Sequence, residues 1–201
     1  MKKLTVIYKL GFPLLVFAAV IGEFKGVEHN AFRIINFFSY FTIESNIFAA
    51  LIMLASIVYV WKGKNSQTFS HLRGTATLFM VITGIVYTLL LSDSGHSWMN
   101  TVLHYIFPIV IFLDWLIDRA QPITFKNSLW WLVFPIVFLG YSLIRGRFVD
   151  WYPYPFLDPR TQGYGKVALT SIFIAGAGVI LTILLGLYTQ IGRSKQLTRK
   201  L

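Results

Sequence analysis

The 201-residue sequence predicts an all-α membrane protein, a bundle of six transmembrane helices with both termini in the cytoplasm. Composition, the length of the apolar runs and the distribution of basic residues all support this prediction. Hydrophobic residues make up 56% of the chain, charged residues make up 13%, and the mean hydropathy is +0.64. Soluble domains carry about 25% charged residues. The composition therefore excludes an ordinary soluble enzyme, a disordered chain and a nucleic-acid-binding domain.

Six apolar runs have the length of a membrane span, which needs about 20 mostly apolar residues. The runs do not alternate polar and apolar residues as barrel strands do. The first run lacks the small-residue cleavage site of a signal peptide, so we interpret it as a span. We expect a single domain, residues 1–201, with spans at Leu4–Phe24, Arg33–Trp61, Leu72–Leu91, Ser97–Ile117, Ser128–Ile144 and Val167–Ile191.

The basic residues predict the orientation of these spans. Lys and Arg on the side of the termini, including Lys9 and Arg73, outnumber those on the other side by about two to one. Cytoplasmic loops carry an excess of Lys and Arg, so both termini are expected in the cytoplasm. Most of the basic residues behind the net charge of +10 are then expected to anchor loops at the membrane surface and not to bind nucleic acid.

The outer loop between the fifth and sixth runs, Arg145 to Lys166, is the longest and is rich in aromatic residues and prolines. Tyrosine and tryptophan at the end of a span are typical of an interfacial belt. A loop of this length is also typical of a functional segment such as a lid. The residues alone leave both interpretations open.

Polar side chains within the runs mark candidate functional positions, because lipid offers them no water. Thr42 and Asn46 lie four residues apart on one face of the second run, and Asn100 and His104 do so in the fourth run. Counted along continuous helices from the outer side, Thr42 lies about 13 Å deep and His104 about 10 Å deep. A hydroxyl and an imidazole at similar depth can act as nucleophile and general base.

These residues also allow interpretations without catalysis. An intramembrane threonine often bonds the carbonyl one turn back, and a lone histidine can bond across to a neighbouring helix. Glu44 points away from the face of Thr42, so we expect a structural role for it. No His-Glu-x-x-His spacing is present, and we expect neither a metal nor a cofactor.

Three motifs carry a resemblance to a known family. On six spans and in this order, they resemble the androgen-induced, FAR-type membrane family and in particular its short bacterial branch. The resemblance covers most of the chain from about Arg33 onward. The motifs are Phe41-Thr42-Ile43, Trp98-x-Asn100-x-x-x-His104 followed by Pro108, and Tyr154-Pro155-Phe156-Leu157-Asp158.

The animal members of that family are threonine-type hydrolases that cleave fatty-acid esters of hydroxy fatty acids. The resemblance implies that Thr42 is the nucleophile and His104 the base of an enzyme in the plasma membrane of a bacterium. It also implies a lipid ester drawn from the bilayer as substrate. The loop before Trp98 is shorter than in the animal relatives, and the segment after Ile43 is more polar. The candidates for substrate or oxyanion binding are Asn46, Asn100, Tyr154 and Asp158.

Two other function classes remain open on the residues. Intramembrane polar residues also mark the pathways of small transporters and lipid-binding proteins. Against a transporter, the sequence shows no inverted repeat and no matching pair of broken spans. A catalytically silent relative with a signalling or scaffold role is the third possibility. Covalent labelling of Thr42 by an activated-ester or fluorophosphonate probe would distinguish the hydrolase from both.

Overall fold

The computed structural model describes residues 2–62, 66–92, 97–118 and 120–191. Within these ranges the chain is helical and contains no strand. In this described part of the chain, six helices are long and apolar enough to cross a membrane, as many as the sequence predicts. We therefore describe the chain as a multi-pass integral membrane protein. These helices are α1 (Lys2–Lys25), α3 (Phe41–Lys62), α4 (Gln67–Leu90), the fourth span (Trp98–Ile117), the fifth span (Phe125–Val149) and α10 (Tyr164–Tyr188).

The second apolar run is not one continuous helix. It forms a short helix, α2 (Ala31–Phe38), and α3, which begins only at Phe41. Asn30 caps the start of α2, where its side chain accepts a hydrogen bond from the Arg33 N–H, and Ser39 is the C-cap. The continuous helix from which the depth of Thr42 was counted is therefore wrong, because Thr42 is the second residue of a new helix.

The fourth span changes its winding around His104. It consists of α5 (Trp98–Thr101), a π-helical segment (Val102–Ile106) and α6 (Phe107–Ile117). Pro108 has no N–H to donate to the carbonyl of His104, four residues earlier. The Phe107 N–H reaches back five residues and donates to the Val102 carbonyl. Such π-bulges occur frequently at functional sites.

The fifth span is longer than expected, and the sixth span starts and ends three residues earlier than expected. The fifth span contains α7 (Phe125–Ser128), a 3-10 turn (Leu129–Leu132) and α8 (Val133–Val149). Because α8 ends at Val149 and α10 starts at Tyr164, the connection between them is shorter than the predicted Arg145–Lys166 loop. Within it lie a 3-10 turn (Pro155–Leu157) and the short helix α9 (Pro159–Gln162).

Packing centres on α3 and α4. Helix α1 packs against α3, α3 against α4, and α4 against both the fourth span and α10. Ala19 of α1 and Ala49 and Ala50 of α3 are fully buried at 0% exposure. Small residues of this kind let membrane helices approach closely, so α1 and α3 pack tightly along this contact.

Charged residues meet at the end of the bundle opposite Thr42. Lys9 Nζ lies 2.5 Å from Asp114 Oδ1, and Arg73 Nη2 lies 3.0 Å from Asp114 Oδ2. Both basic groups also lie within 3.5 Å of Asp118 Oδ2. Lys9 and Arg73 are 0% and 4% exposed, so their interpretation as surface anchors is wrong. We call Lys9, Arg73, Asp114 and Asp118 the ion cluster. Arg119 is next to Asp118 in the sequence and is thereby a further candidate partner, but it lies outside the described residues.

Candidate functional site

Thr42 and His104 come together near the ends of α3 and the fourth span. The Thr42 Oγ1 atom lies 3.3 Å from His104 Nε2, within hydrogen-bond reach. Thr42 is 8% exposed, and His104 is partly buried. The juxtaposition expected from the sequence is therefore present, although the depth calculation behind it used a helix that does not exist.

The surroundings of His104 determine which ring nitrogen carries the proton. The Nδ1 atom lies 3.1 Å from the Asn100 carbonyl oxygen, one turn earlier. A carbonyl can only accept, so Nδ1 carries the hydrogen and Nε2 is left with a lone pair. The Tyr87 ring stacks on the imidazole with centroids 3.9 Å apart and an interplanar angle of 22°. Nε2 is consequently fixed as the acceptor that faces the Thr42 hydroxyl.

Tyr154 supplies a second contact to Thr42. The Thr42 N–H donates to the Tyr154 hydroxyl oxygen at 3.2 Å, and the two hydroxyl oxygens lie 3.3 Å apart. Since the Thr42 hydroxyl donates to His104, the Tyr154 hydroxyl donates to Thr42 Oγ1. Burial raises the pKa of Tyr154 to about 12, so its hydroxyl keeps its proton near neutral pH.

The Thr42 N–H can donate to Tyr154 because the helix break at Ser39 and Tyr40 leaves it without a partner in its own helix. The first N–H groups of a helix have no partner within the helix, and Thr42 is the second residue of α3. Sequence reasoning missed this donor because a continuous run places Thr42 in mid-helix, where its N–H is already bonded. Tyr87 was missed as well, since nothing in its spacing separates it from other aromatic residues of the third span.

The two candidate asparagines, Asn46 and Asn100, donate hydrogen bonds to groups next to Thr42 and His104. Asn46 donates to the Thr42 carbonyl at 2.8 Å and to the Leu103 carbonyl at 3.1 Å, and so ties α3 to the π-helical segment. The Asn100 side chain donates to the Tyr87 hydroxyl at 2.5 Å. These hydrogen bonds make both residues positioning groups for Thr42 and His104.

Two other acidic residues lie away from this arrangement. Asp158 caps α9 and pairs with Arg160 at 2.6 Å, and this hydrogen-bonded guanidinium lowers the pKa of the carboxyl. The structure therefore does not bring Asp158 to Thr42. Glu44 lies in the first turn of α3, and its Oε2 atom is buried without a hydrogen-bond partner among the described residues. Its side chain lines neither of the two cavities that meet at Thr42.

These two cavities differ in character. An apolar cavity of about 150 Å³ lies between α4, the fifth span and α10. A larger cleft of about 690 Å³ lies between the ends of α1 and the fourth span, and His104 and Asn100 line it. We call it the polar cleft because more polar groups line it than line the apolar cavity. Four residues line both cavities, namely Thr42, Tyr87, Leu91 and Tyr154. His104 lines only the polar cleft, so the imidazole approaches Thr42 from the polar side.

Comparisons of the chain with models of known protein families, with curated proteins and with solved structures find no match. The chemistry of the site is therefore argued from its geometry and from the residues themselves.

Proposed function

We propose that this protein is an intramembrane hydrolase of lipid esters in which Thr42 is the nucleophile and His104 the general base. The observation that carries the proposal is the 3.3 Å contact between Thr42 Oγ1 and His104 Nε2. Threonine is a weak nucleophile unless an adjacent base removes its proton. The bond from Nδ1 to the Asn100 carbonyl leaves Nε2 in the required form.

The reaction would proceed through an acyl-enzyme. Thr42 Oγ1 attacks the ester carbon while its proton passes to His104 Nε2. The Thr42 N–H and the Tyr154 hydroxyl are the two donors available to the developing oxyanion. His104 then gives its proton to the departing alkoxide oxygen. A water molecule, activated by the same nitrogen, releases the fatty acid and restores the Thr42 hydroxyl.

The two cavities support an orientation for the ester. The group that leaves must receive its proton from His104, which lines only the polar cleft. The alcohol portion therefore lies in the polar cleft and the acyl chain in the apolar cavity, with the ester bond at Thr42. A long-chain ester partitions into hydrocarbon, where the apolar cavity between the fifth span and α10 can receive it.

We further propose that the end of the bundle carrying Thr42 faces outward, with both termini in the cytoplasm of a bacterium. An even number of spans puts both termini on one side of the membrane. The excess of Lys and Arg on that side persists when the buried Lys9 and Arg73 are left out.

The test compares Thr42→Ala with Thr42→Ser in purified protein reconstituted in lipid nanodiscs. Loss of the nucleophile lowers ester hydrolysis by at least about 10³-fold, whereas serine retains the hydroxyl and most of the activity. A fluorophosphonate probe labels the parent and Thr42→Ser but not Thr42→Ala. The matched control is Thr101→Ala, which removes an exposed hydroxyl from the fourth span. Full hydrolysis by Thr42→Ala contradicts the proposal, and substrate flux across liposomes that survives this change would favour a transporter.

A further inference from the structure

The charge of the polar cleft restricts the alcohol that can bind there. Among the described residues that line the cleft, Glu23 is the carboxylate, and none is Lys or Arg. The other polar lining groups include Tyr40, Ser97 and Asn100, which are uncharged. From the described residues of the lining, an anion in this cleft would therefore meet one negative charge and no fixed positive charge.

A hydrogen bond joins Glu23, on α1, to the start of the fourth span, which carries His104. Its Oε1 atom accepts a hydrogen bond from the Ser97 hydroxyl at 3.2 Å. The same Ser97 oxygen accepts from the Asn100 N–H at 3.0 Å and so caps the helix that leads to His104. Glu23 also lines the cleft, so its carboxylate can accept a hydrogen bond from a ligand there.

We propose that the cleft selects an uncharged, hydroxyl-bearing alcohol and that Glu23 is the residue that sets this preference. The inference rests on the proposed function, because His104 places the departing alcohol in the polar cleft. Hydroxyl groups on the alcohol donate to Glu23, whereas a carboxylate at the same position is repelled. A glycerol-type ester fits this chemistry. An ester of a hydroxy acid fits only when its carboxylate lies beyond the cleft.

The experiment compares two substrates that share an octanoyl chain. Monooctanoyl glycerol and the octanoyl ester of glyceric acid differ in one group, a hydroxymethyl in the first and a carboxylate in the second. We expect kcat/KM to be at least about tenfold higher for the glycerol ester at low ionic strength. Most of the difference should lie in KM, since the charge acts on binding of both ground and transition states.

Variants of Glu23 then test whether this residue is responsible. Glu23→Gln should reduce the preference to within about threefold, and Glu23→Lys should reverse it in favour of the glycerate ester. The matched control is Glu28→Gln, which removes an exposed carboxylate that does not line the cleft. Thermal unfolding is measured for each variant, and Glu23→Gln alone decides the question if Glu23→Lys does not fold. A preference that is absent, or that survives Glu23→Gln, overturns the inference.

Non-cleavable ethers of the same two alcohols separate this inference from the proposed function. Their affinities are measured by thermal shift with the Thr42→Ala protein. Preferential binding of the glycerol ether that depends on Glu23 supports the selectivity even if neither ester is hydrolysed, and the proposed hydrolase alone would then fail. Equal binding of the two ethers overturns the selectivity whatever the hydrolysis shows.

Discussion

The two ends of this bundle differ in their polar side chains: those at one end are uncharged and border cavities, and those at the other end form buried ion pairs. At one end, Thr42, His104 and Tyr154 are uncharged partners separated by 3.2–3.3 Å, and they border two cavities. At the other end, Asp114 is held between Lys9 and Arg73 at 2.5 and 3.0 Å. A cavity of about 10 Å³, about the room that one water needs, adjoins Asp114 and Arg73.

This difference indicates a division of roles. Groups that take part in a reaction need space for a substrate and hydrogen bonds that can be exchanged. The ion cluster has neither, and its charges are mutually compensated, which is what burial in a membrane requires. We therefore expect variants at Thr42 and its neighbours to change activity with little effect on stability. Variants at the ion cluster should do the reverse.

The largest expected effect is on activity at His104. His104→Gln removes the base, and hydrolysis of a lipid ester should fall by about 10²–10⁴-fold while the midpoint of thermal unfolding changes little. His71→Gln is the matched control, because His71 lies on α4 and accepts a hydrogen bond from the Trp131 ring N–H of the fifth span. Comparable loss of activity in both variants would contradict the assignment of His104.

The next largest effect is on stability at Asp114. Asp114→Asn leaves Lys9 and Arg73 buried without a full counter-charge, which should cost about 3–5 kcal/mol in the free energy of unfolding. Asp118 is 41% exposed at its side chain, so Asp118→Asn should cost clearly less. Both are measured by denaturation in detergent, with hydrolysis expressed per folded molecule. If Asp114→Asn abolished hydrolysis in protein that remains folded, the two ends would not be separate in function.

Tyr154→Phe should reduce kcat by about 10²-fold, because it removes one of two oxyanion donors. The pKa of Tyr154 is about 12, so the parent keeps this donor at every pH below its ionisation. The ratio of parent to variant activity should therefore stay constant between about pH 7 and about pH 9.5. Above about pH 10 the unfolded chain ionises this tyrosine while the folded chain does not, so stability of the parent declines there. A ratio that collapses near pH 8 would exclude the hydroxyl as a donor.

The smallest expected effect concerns packing next to Arg73. A Cβ added at Gly74 would lie 2.2 Å from the Trp131 ring, so Gly74→Ala should cost about 1–3 kcal/mol in stability. Nothing lies within 4 Å of a Cβ added at Gly11, and Gly11→Ala should be neutral or slightly stabilising. Unfolding midpoints of the two variants are the measurement. Equal midpoints would show that the Trp131 ring moves aside at no cost.

Hydropathy was sufficient to predict the six spans, because burial in lipid imposes a length and a composition that any single sequence displays. It was not sufficient to find the break before Phe41. Helix α2 is itself rich in phenylalanine and isoleucine, so the apolar run continues through Ser39 and Tyr40 without a signal. Proximity of Thr42 and His104 followed from their positions near the same end of two spans, which does not depend on that break.

Pairing between distant charges could not be predicted either. Lys9 and Arg73 stand near the ends of their runs, where basic residues usually anchor a span. Their burial depends on Asp114, which is 105 residues from Lys9 along the chain. Likewise, Tyr87 stacks on His104 because α4 packs against the fourth span. The spacing of residues along one helix does not predict such a contact between two helices. One sequence predicts which faces are polar, whereas packing determines which polar groups meet.

The π-helical turn before Pro108 has a consequence for both ends of the fourth span. One extra residue within a turn rotates everything beyond it by about 100° relative to an unbroken α-helix. His104 lies inside that turn and Asp114 lies after it. The inserted residue therefore sets the angle about the helix axis between the side chains of His104 and Asp114. Deleting one residue here would rotate Asp114 away from Lys9 and Arg73. A deletion of one residue at this point would therefore disturb both the orientation of His104 and the ion cluster that stabilises the bundle.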